Sequence, residues 1–552
     1  MKHLASLSRI LLLALLLATP PAFAAVDVEL PKPDPAGVPT GRGNPYDYGV
    51  MGPPATPAIV AAADQAVTKP MAPGPVAPNW DSLQKNYETP AWLVDAKFGI
   101  FMHWGIYSVA AHGASAAEWY EKHMYGNPAD IAWHEQNFGP IVTVGYKNLI
   151  PLFTAAKWDP DAWAVLFKKS GAKFVVPTAE HHDNFANWDS QVTPFNAKRM
   201  GPMRDLIGDL AAAVRKQGLK FGVSNHGMEN FTFVNPTNAL NDQLKAAKAD
   251  LYDPAWAPFY NVADRSDAAM TRFLTDWVNR NLELIDKYQP DILWFDNGVN
   301  LRVLDPLKLH VAAYYYNRAK QWGKDVTLST KYNAYAPSND DTKQIGSILD
   351  FEKSGPPRGP TTIRPGPWMV DDPIGSTWGY STSETISSPA AVLTKLIDTV
   401  SKGGVYLLNL SPMADGTLPQ AQQDTLLGIG AWLDMNGEAI YASRPWIKFM
   451  EGNTGRGALN VHFTTKGDAL YAIANNWPSD GKAVLTSLST GAATSSSPIK
   501  VELLGHDGAL PSTQTDQGLE ITLPADHATE PFYTFKISGF NLTASSPKTA
   551  QN

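Results

Sequence analysis

From Trp80 to Trp446, short apolar runs alternate with longer segments whose apolar positions recur at helical spacing. "KFGIFMHWG" (97–105), "AKFVVPTAE" (172–180), "LKFGVSNHG" (219–227), "PDILWFDNG" (290–298), "KDVTLSTKYN" (324–333), "SILDFE" (347–352) and "VYLLNLSP" (405–412) read as strands. Between them, 158–171, 202–218, 268–288, 306–323 and 388–404 read as helices, and 420–437 as a final one. Apolar strands joined through helices imply a parallel sheet covered by a helical layer. With so many units and no G-x-G-x-x-G fingerprint, the expectation is a TIM-like (β/α) barrel over 80–446, with an open doubly wound sheet as the alternative.

The pattern changes on either side. From 447 to 542, alternating stretches such as "ALNVHFTTKGDALYAIANNW" and "GLEITLP" predict a C-terminal β-sandwich, followed by a tail at 543–552. Residues 25–79 are rich in Pro, Ala and Gly and read as a flexible or extended leader, with room for a short helix around "TPAIVAAADQAV". Residues 1–24 carry Lys2 and Arg9, an apolar run from Ile10 to Leu17 and the small-x-small sequence Ala22-Phe23-Ala24. That is the form of a secretory signal peptide, so the mature chain is expected to be exported to the periplasm or beyond, with no membrane association.

Composition narrows the chemistry. The chain has no cysteine, which excludes thiol catalysis, disulfides and thiolate metal sites. A net charge of -8 without a basic stripe argues against nucleic acid as a partner. Seventeen tryptophans suit stacking on sugar faces, although core packing also consumes tryptophan.

In a barrel, the carboxyl ends of the strands carry the site. Read off in order, these ends supply His103, the pair His181 and His182, Asn225 and His226, Asp296, Lys331 and Glu352, with Asn409 closing the last strand. The adjacent histidines need an irregular turn to serve one site, because neighbours on a strand face opposite ways. A metal hydrolase centre built from the histidines and Asp296 is one reading, but no H-x-H or H-E-x-x-H holds two ligands on one element. Asp296 and Glu352 suggest another: paired carboxyl groups at strand ends are what glycoside hydrolysis needs, one to attack the anomeric carbon and one to protonate the departing oxygen. Asp350, Asp371 and Asp372 rival Glu352 as the acid. A non-catalytic carbohydrate-binding protein is a third reading, which the presence of both carboxylates opposes.

"KFGIFMHWGIYSV…EWY", "EHHDNFANWDS", "PDILWFDNG", "WGYS" and the long block from "VSKGGVYLLNLSP" to "YASRPW" resemble the α-L-fucosidases of glycoside hydrolase family 29, in order, from Trp92 to Trp446. The resemblance implies a retaining exo-glycosidase with a barrel and a C-terminal sandwich, acting on fucosylated glycans without a cofactor or metal. It implies Asp296 as nucleophile with Trp294 lining the sugar site, and His103, Glu118, Trp119, His181 and His182 as sugar contacts. Trp378 of "WGY" would face the methyl side of a 6-deoxy sugar. Two departures stand out: "FGVSNHG" replaces the family's "GLYYS", leaving His226 or Asn225 to substitute, and "STKYN" replaces "NDR", leaving Lys331 as the cation. A related exo-glycosidase for another deoxy or galacto-configured sugar is the alternative within the class.

Overall fold

A computed structural model describes residues 53–542 apart from 115, 339 and 453–458. The signal peptide at 1–24, leader residues 25–52 and the tail at 543–552 lie outside the described residues.

Eight parallel strands close a barrel in sequence order: β1 (Phe98–Met102), β2 (Phe174–Glu180), β3 (Lys220–Asn225), β4 (Ile292–Phe295), β5 (Thr327–Lys331), β6 (Ser347–Glu352), β7 (Trp368–Pro373) and β8 (Val405–Leu410). β8 returns to β1 with Phe98 opposite Tyr406 and Met102 opposite Leu410, so no edge is left open. The barrel is filled by inward side chains, among them Phe101, Phe174, Ile292, Trp294, Met369 and Leu407. Gly99 is part of that packing, because a Cβ there would stand 2.3 Å from the Phe174 ring.

Helices on the outside start where the chain offers caps. The Asp159 carboxylate accepts from Ala162 N ahead of Pro160–Lys169, and Asp205 accepts from Gly208 N ahead of Leu206–Lys216. Ser266 and Ser388 do the same for Asp267–Tyr288 and Pro389–Ser401. Asp305–Trp322 and Gln420–Asn436 complete the predicted set. The connections from β5 to β6 and from β6 to β7 contain no α-helix among the described residues.

Two expectations change. β7 was absent from the sequence reading, because "WMVDDP" follows a Pro/Gly-rich run and carries two acids, which together look like a loop. Both acids are nonetheless buried. The leader is also not extended over its described part. Thr56 caps the helix Pro57–Gln65, whose Ile59, Val60 and Ala63 are buried against Asp267–Tyr288 and Asp305–Trp322. Past the helix, Asn317 Oδ1 accepts from Val76 N at 2.9 Å and Asn279 Oδ1 accepts from Thr68 N at 3.1 Å. The short helix expected around "TPAIVAAADQAV" is present, and proline density hid only its burial.

From Arg444 the chain enters two antiparallel sheets, one of six strands and one of three, around a separate core that includes Phe463, Leu485, Ile521 and Phe535. No helix among the described residues is long and apolar enough to cross a membrane.

Candidate active site

Asp296 follows the last residue of β4 at the carboxyl end of the barrel. Two residues earlier, Trp294 faces the interior and its Nε1–H donates to Asp350 Oδ2 at 2.6 Å. His226, one residue past β3, donates from Nδ1 to Asp296 Oδ2 at 2.8 Å. Its other nitrogen, Nε2, lies 2.9 Å from the Ser224 hydroxyl and accepts there. Lys331 ends β5, and its Nζ lies 3.2 Å from Asp296 Oδ1, 3.5 Å from Glu352 Oε2 and 3.8 Å from Asp371 Oδ2. Burial alone would raise the Asp296 pKa, but Lys331 and His226 outweigh it and hold the carboxyl well below its ordinary range. Burial likewise works against the Lys331 charge, and its three carboxylate neighbours reverse the shift upward.

The histidine pair is brought to one site by an irregular strand end. The register between β2 and β3 shifts between Thr178 and Glu180, and Asn184 takes a left-handed φ of 63°. Glu180 turns out to pair with Arg280 at 2.9 Å, while both histidines reach the mouth. The His181 ring lies 5.3 Å from His103, 4.9 Å from His226 and 5.2 Å from Tyr107. His182 meets Trp119 edge-on at 6.0 Å and Phe233 at 4.9 Å. Its Nδ1–H donates to the His226 carbonyl at 2.9 Å, which leaves Nε2 as a lone pair facing the site. Burial lowers the His182 pKa to about 3 and holds His103 and His181 well below the ordinary imidazole range, which favours the neutral ring in all three.

Where β8 pairs with β1, Asn409 acts as a bracket. Its Nδ2 donates to the Trp378 carbonyl at 2.8 Å, so its Oδ1 accepts from His103 Nδ1 at 2.7 Å and leaves His103 Nε2 open. The Trp378 ring sits 5.3 Å from His103. Glu118 Oε2 accepts from Gly379 N at 3.0 Å and from the Thr377 hydroxyl at 3.2 Å, which fixes the segment that carries Trp378. Burial raises the Glu118 pKa to about 7 despite these bonds. Half-buried Trp119 carries Lys122 over its face at 4.3 Å.

The carboxyl groups separate cleanly. Glu352 is bound by Arg358 at 2.8 Å as well as by Lys331. Burial raises its pKa, and these two cations more than offset that, leaving it below its usual range. Asp350 shares the inner face with Glu352, as regular β6 pairing requires, and burial pushes it to about 7. Asp371 is inward and buried as well. Asp372 is not part of the site: it accepts from Ser354 N at 3.0 Å and pairs with Lys395 at 3.1 Å behind the barrel wall.

Asn225 is a second correction. Its Oδ1 accepts from Gly227 N at 2.9 Å within its own turn, and it is His226 that reaches Asp296. Strand alternation explains the difference, since only one of two neighbours can face inward. The sequence reading also missed Glu229, buried in the loop after β3 with Oε2 3.7 Å from His182 Nδ1. Its only signal was a lone acid in the aromatic run "HGMENF". Residues 228–260, which follow β3, hold helices at Asn230–Phe233, Asn238–Ala247 and Ala257–Tyr260.

Among the described residues, two triads have donor atoms close enough to hold a metal: His103, His181 and His226, and His182, His226 and Asp296. Both depend on His226, whose two nitrogens are already committed to Asp296 and Ser224. A second cation at Asp296 would also stand beside the Lys331 ammonium. The donor set suits an uncharged polar ligand better than an ion.

The α-L-fucosidase family model matches residues 63–438, and the α-L-fucosidase C-terminal domain model matches 456–538. Rat tissue α-L-fucosidase (Rattus norvegicus) is 32% identical over 484 residues, covering 84% of this chain and 92% of that protein. The human tissue enzyme (Homo sapiens) is 32% identical over 499 residues, covering 86% and 95%. The crystal structure of Thermotoga maritima α-fucosidase in complex with fucose aligns with a TM-score of 0.64 at 30% identity, covering 84% of this chain and 99% of that one. Barrel and C-terminal sheet domain thus agree with the relatives, and the chain belongs to the α-L-fucosidase family, glycoside hydrolase family 29.

Proposed function

We propose that this glycoside hydrolase releases terminal α-L-fucosyl residues from exported-compartment glycans by double displacement, with Asp296 as nucleophile and Glu352 as acid and then base. The observation that carries this reading is the ammonium of Lys331 between Asp296 and Glu352. Those two oxygens can be no farther apart than the sum of their distances to Nζ, a ceiling that admits the roughly 5–5.5 Å of a retaining pair.

Asp296, held ionised, forms a bond to the anomeric carbon while the glycosidic C–O bond breaks and Glu352 supplies the proton to the leaving oxygen. Water then attacks, giving its proton to Glu352, and the electron pair of the ester bond returns to Asp296. The neutral acceptors His103 Nε2 and His182 Nε2 receive hydroxyl protons of the sugar, and Trp378 offers its face to the C5 methyl. Capture of fucose by the Thermotoga maritima relative supports this sugar class. Export rests on the leader at 1–24.

Assay against a panel of nitrophenyl glycosides, with and without chelator, tests the reading. The α-L-fucoside is expected to be cleaved fastest and chelator to have no effect. Preference for a galacto-configured sugar, or loss of activity on chelation, would replace it. A further expectation concerns the adjacent histidines. His181→Ala and His182→Ala should each lower kcat/KM by about tenfold to a few hundredfold, the worth of one or two hydrogen bonds, with metal content unchanged. Elemental analysis finding zinc in the wild type but not in these variants would favour the metal-hydrolase alternative.

A further inference from the structure

Lys331 has three carboxylate partners, and the two-carboxylate mechanism uses only two. Asp371 lies directly opposite Glu352 in the pairing of parallel strands β6 and β7. Its Oδ2 is 3.8 Å from Lys331 Nζ, and its Oδ1 is buried with no hydrogen-bond partner. Only 1% of the residue is exposed, against 23% of the Glu352 side chain. An orphaned buried carboxylate oxygen is costly, and a proton on it removes most of that cost.

Around Asp371 stand Asp296 after β4, Lys331 on β5, Asp350 and Glu352 on β6 and the Tyr406 hydroxyl on β8. Arg358, Lys353 and Glu118 act on Glu352. Burial, with Asp350 and Glu352 beside it, raises the Asp371 pKa well above the carboxylate range against the pull of Lys331. Glu352 is shifted the other way by Lys331 and Arg358. A general acid clamped as an anion needs a proton from somewhere, and Asp371 on the neighbouring strand is the carboxyl group whose burial favours the neutral form.

We propose that Asp371 is a positioning residue that stores the catalytic proton and passes it to Glu352, an inference that rests on Glu352 being the acid/base. In the resting site Asp296 and Glu352 are anions and Asp371 is neutral. The Asp371 proton moves to Glu352, leaving Asp371 as the anion. Glu352 then gives that proton to the glycosidic oxygen as the C–O electron pair departs with it and Asp296 becomes an ester. Glu352 and Asp371 are now the two anions around Lys331. In the second step the proton lost by the attacking water returns through Glu352 to Asp371 as Asp296 regains its charge. Lys331 therefore keeps two negative partners throughout, and the step never isolates its buried charge.

The test is the pH profile of Asp371→Asn on methyl α-L-fucoside, whose leaving group requires protonation. In the wild type two carboxyl groups share one proton, and the second anion beside the first delays its loss, so the alkaline limb of kcat/KM lies high. In the variant the only proton is that of Glu352, whose pKa is depressed. The limb should move to lower pH by about one unit or more. Activity on an aryl fucoside with an acidic phenol should change little near the optimum. Asp371→Ser carries the same expectation should the amide variant not fold. A uniform loss of rate with the limb unmoved would mean a structural role and overturn the inference. Glu352→Gln distinguishes the underlying failure: if that variant slows both substrate classes equally, the acid/base assignment falls and this inference with it. If it shows leaving-group dependence while Asp371→Asn keeps the wild-type limb, only this inference falls.

Discussion

Asp296→Ala is expected to lower turnover on the order of 10⁴-fold or more while leaving the barrel folded, the scale on which removal of a covalent nucleophile acts. The loss has two sources. No group remains to form the glycosyl ester, and the Lys331 and His226 contacts that hold Asp296 ionised have nothing to stabilise. The fold should survive because Lys331 keeps Glu352 at 3.5 Å and Asp371 at 3.8 Å, so its buried charge is not orphaned. A thermal melt within a few degrees of wild type checks that point. Azide supplies the decisive second measurement. A small anion admitted to the space left by the carboxylate, beside an ammonium, can attack the anomeric carbon of an aryl fucoside directly. One displacement inverts where two retain, so the product is the fucosyl azide of opposite anomeric configuration. Near wild-type activity without azide, or no fucosyl azide with it, would remove Asp296 from the nucleophile's role.

The barrel was legible because its strands are apolar enough to be buried on both sides and its helices begin at Asp or Ser caps. Those signals are local, and they survive in one sequence. β7 was not legible because its acids are buried beside cations distant in the chain: Lys331 near Asp371, Lys395 on Asp372. The helix Pro57–Gln65 was half-legible, since its cap is local but its burial depends on helices more than 200 residues away. In the site, strand ends identified His103, the histidine pair, His226, Asp296, Lys331 and Glu352, because a barrel delivers strand ends to one mouth whatever the loops do. Choosing between Asn225 and His226 required knowing which way the strand turned, and one residue of slip exchanges the faces. Asn409 stood at a strand end too, but its bracket between His103 and Trp378 is visible only once the β8–β1 pairing closes the barrel. The places of Glu229 and Asp371 in the site depend on burial, which no local pattern encodes.

Glu352→Gln should separate substrates by leaving group. For natural glycans and alkyl fucosides, whose departing oxygen is strongly basic, loss of the acid should slow cleavage by roughly 10²–10⁴-fold. Aryl fucosides with acidic phenols leave without a proton, so formation of the ester with Asp296 should slow far less. The second step then limits, because water has lost its base, and a burst of phenol equal to the enzyme present should precede a slow steady state. Added azide, which needs no base, should relieve that second step and give a product of retained configuration. That outcome contrasts with the inverted azide expected from Asp296→Ala, so the two variants distinguish the two carboxylates by stereochemistry as well as by rate. Charge also changes in a defined direction: the amide no longer attracts Lys331 or Arg358, and Lys331 then leans on Asp296 and Asp371 alone. That should hold Asp296 at least as firmly ionised, so the variant's acid limb should not move to higher pH. Equal slowing of both substrate types, or of neither, would assign the acid to another group. Asp372 is committed to Lys395 and the Ser354 amide, which leaves Asp371 and Asp350, the buried partners on the same inner face, as the residues to vary next.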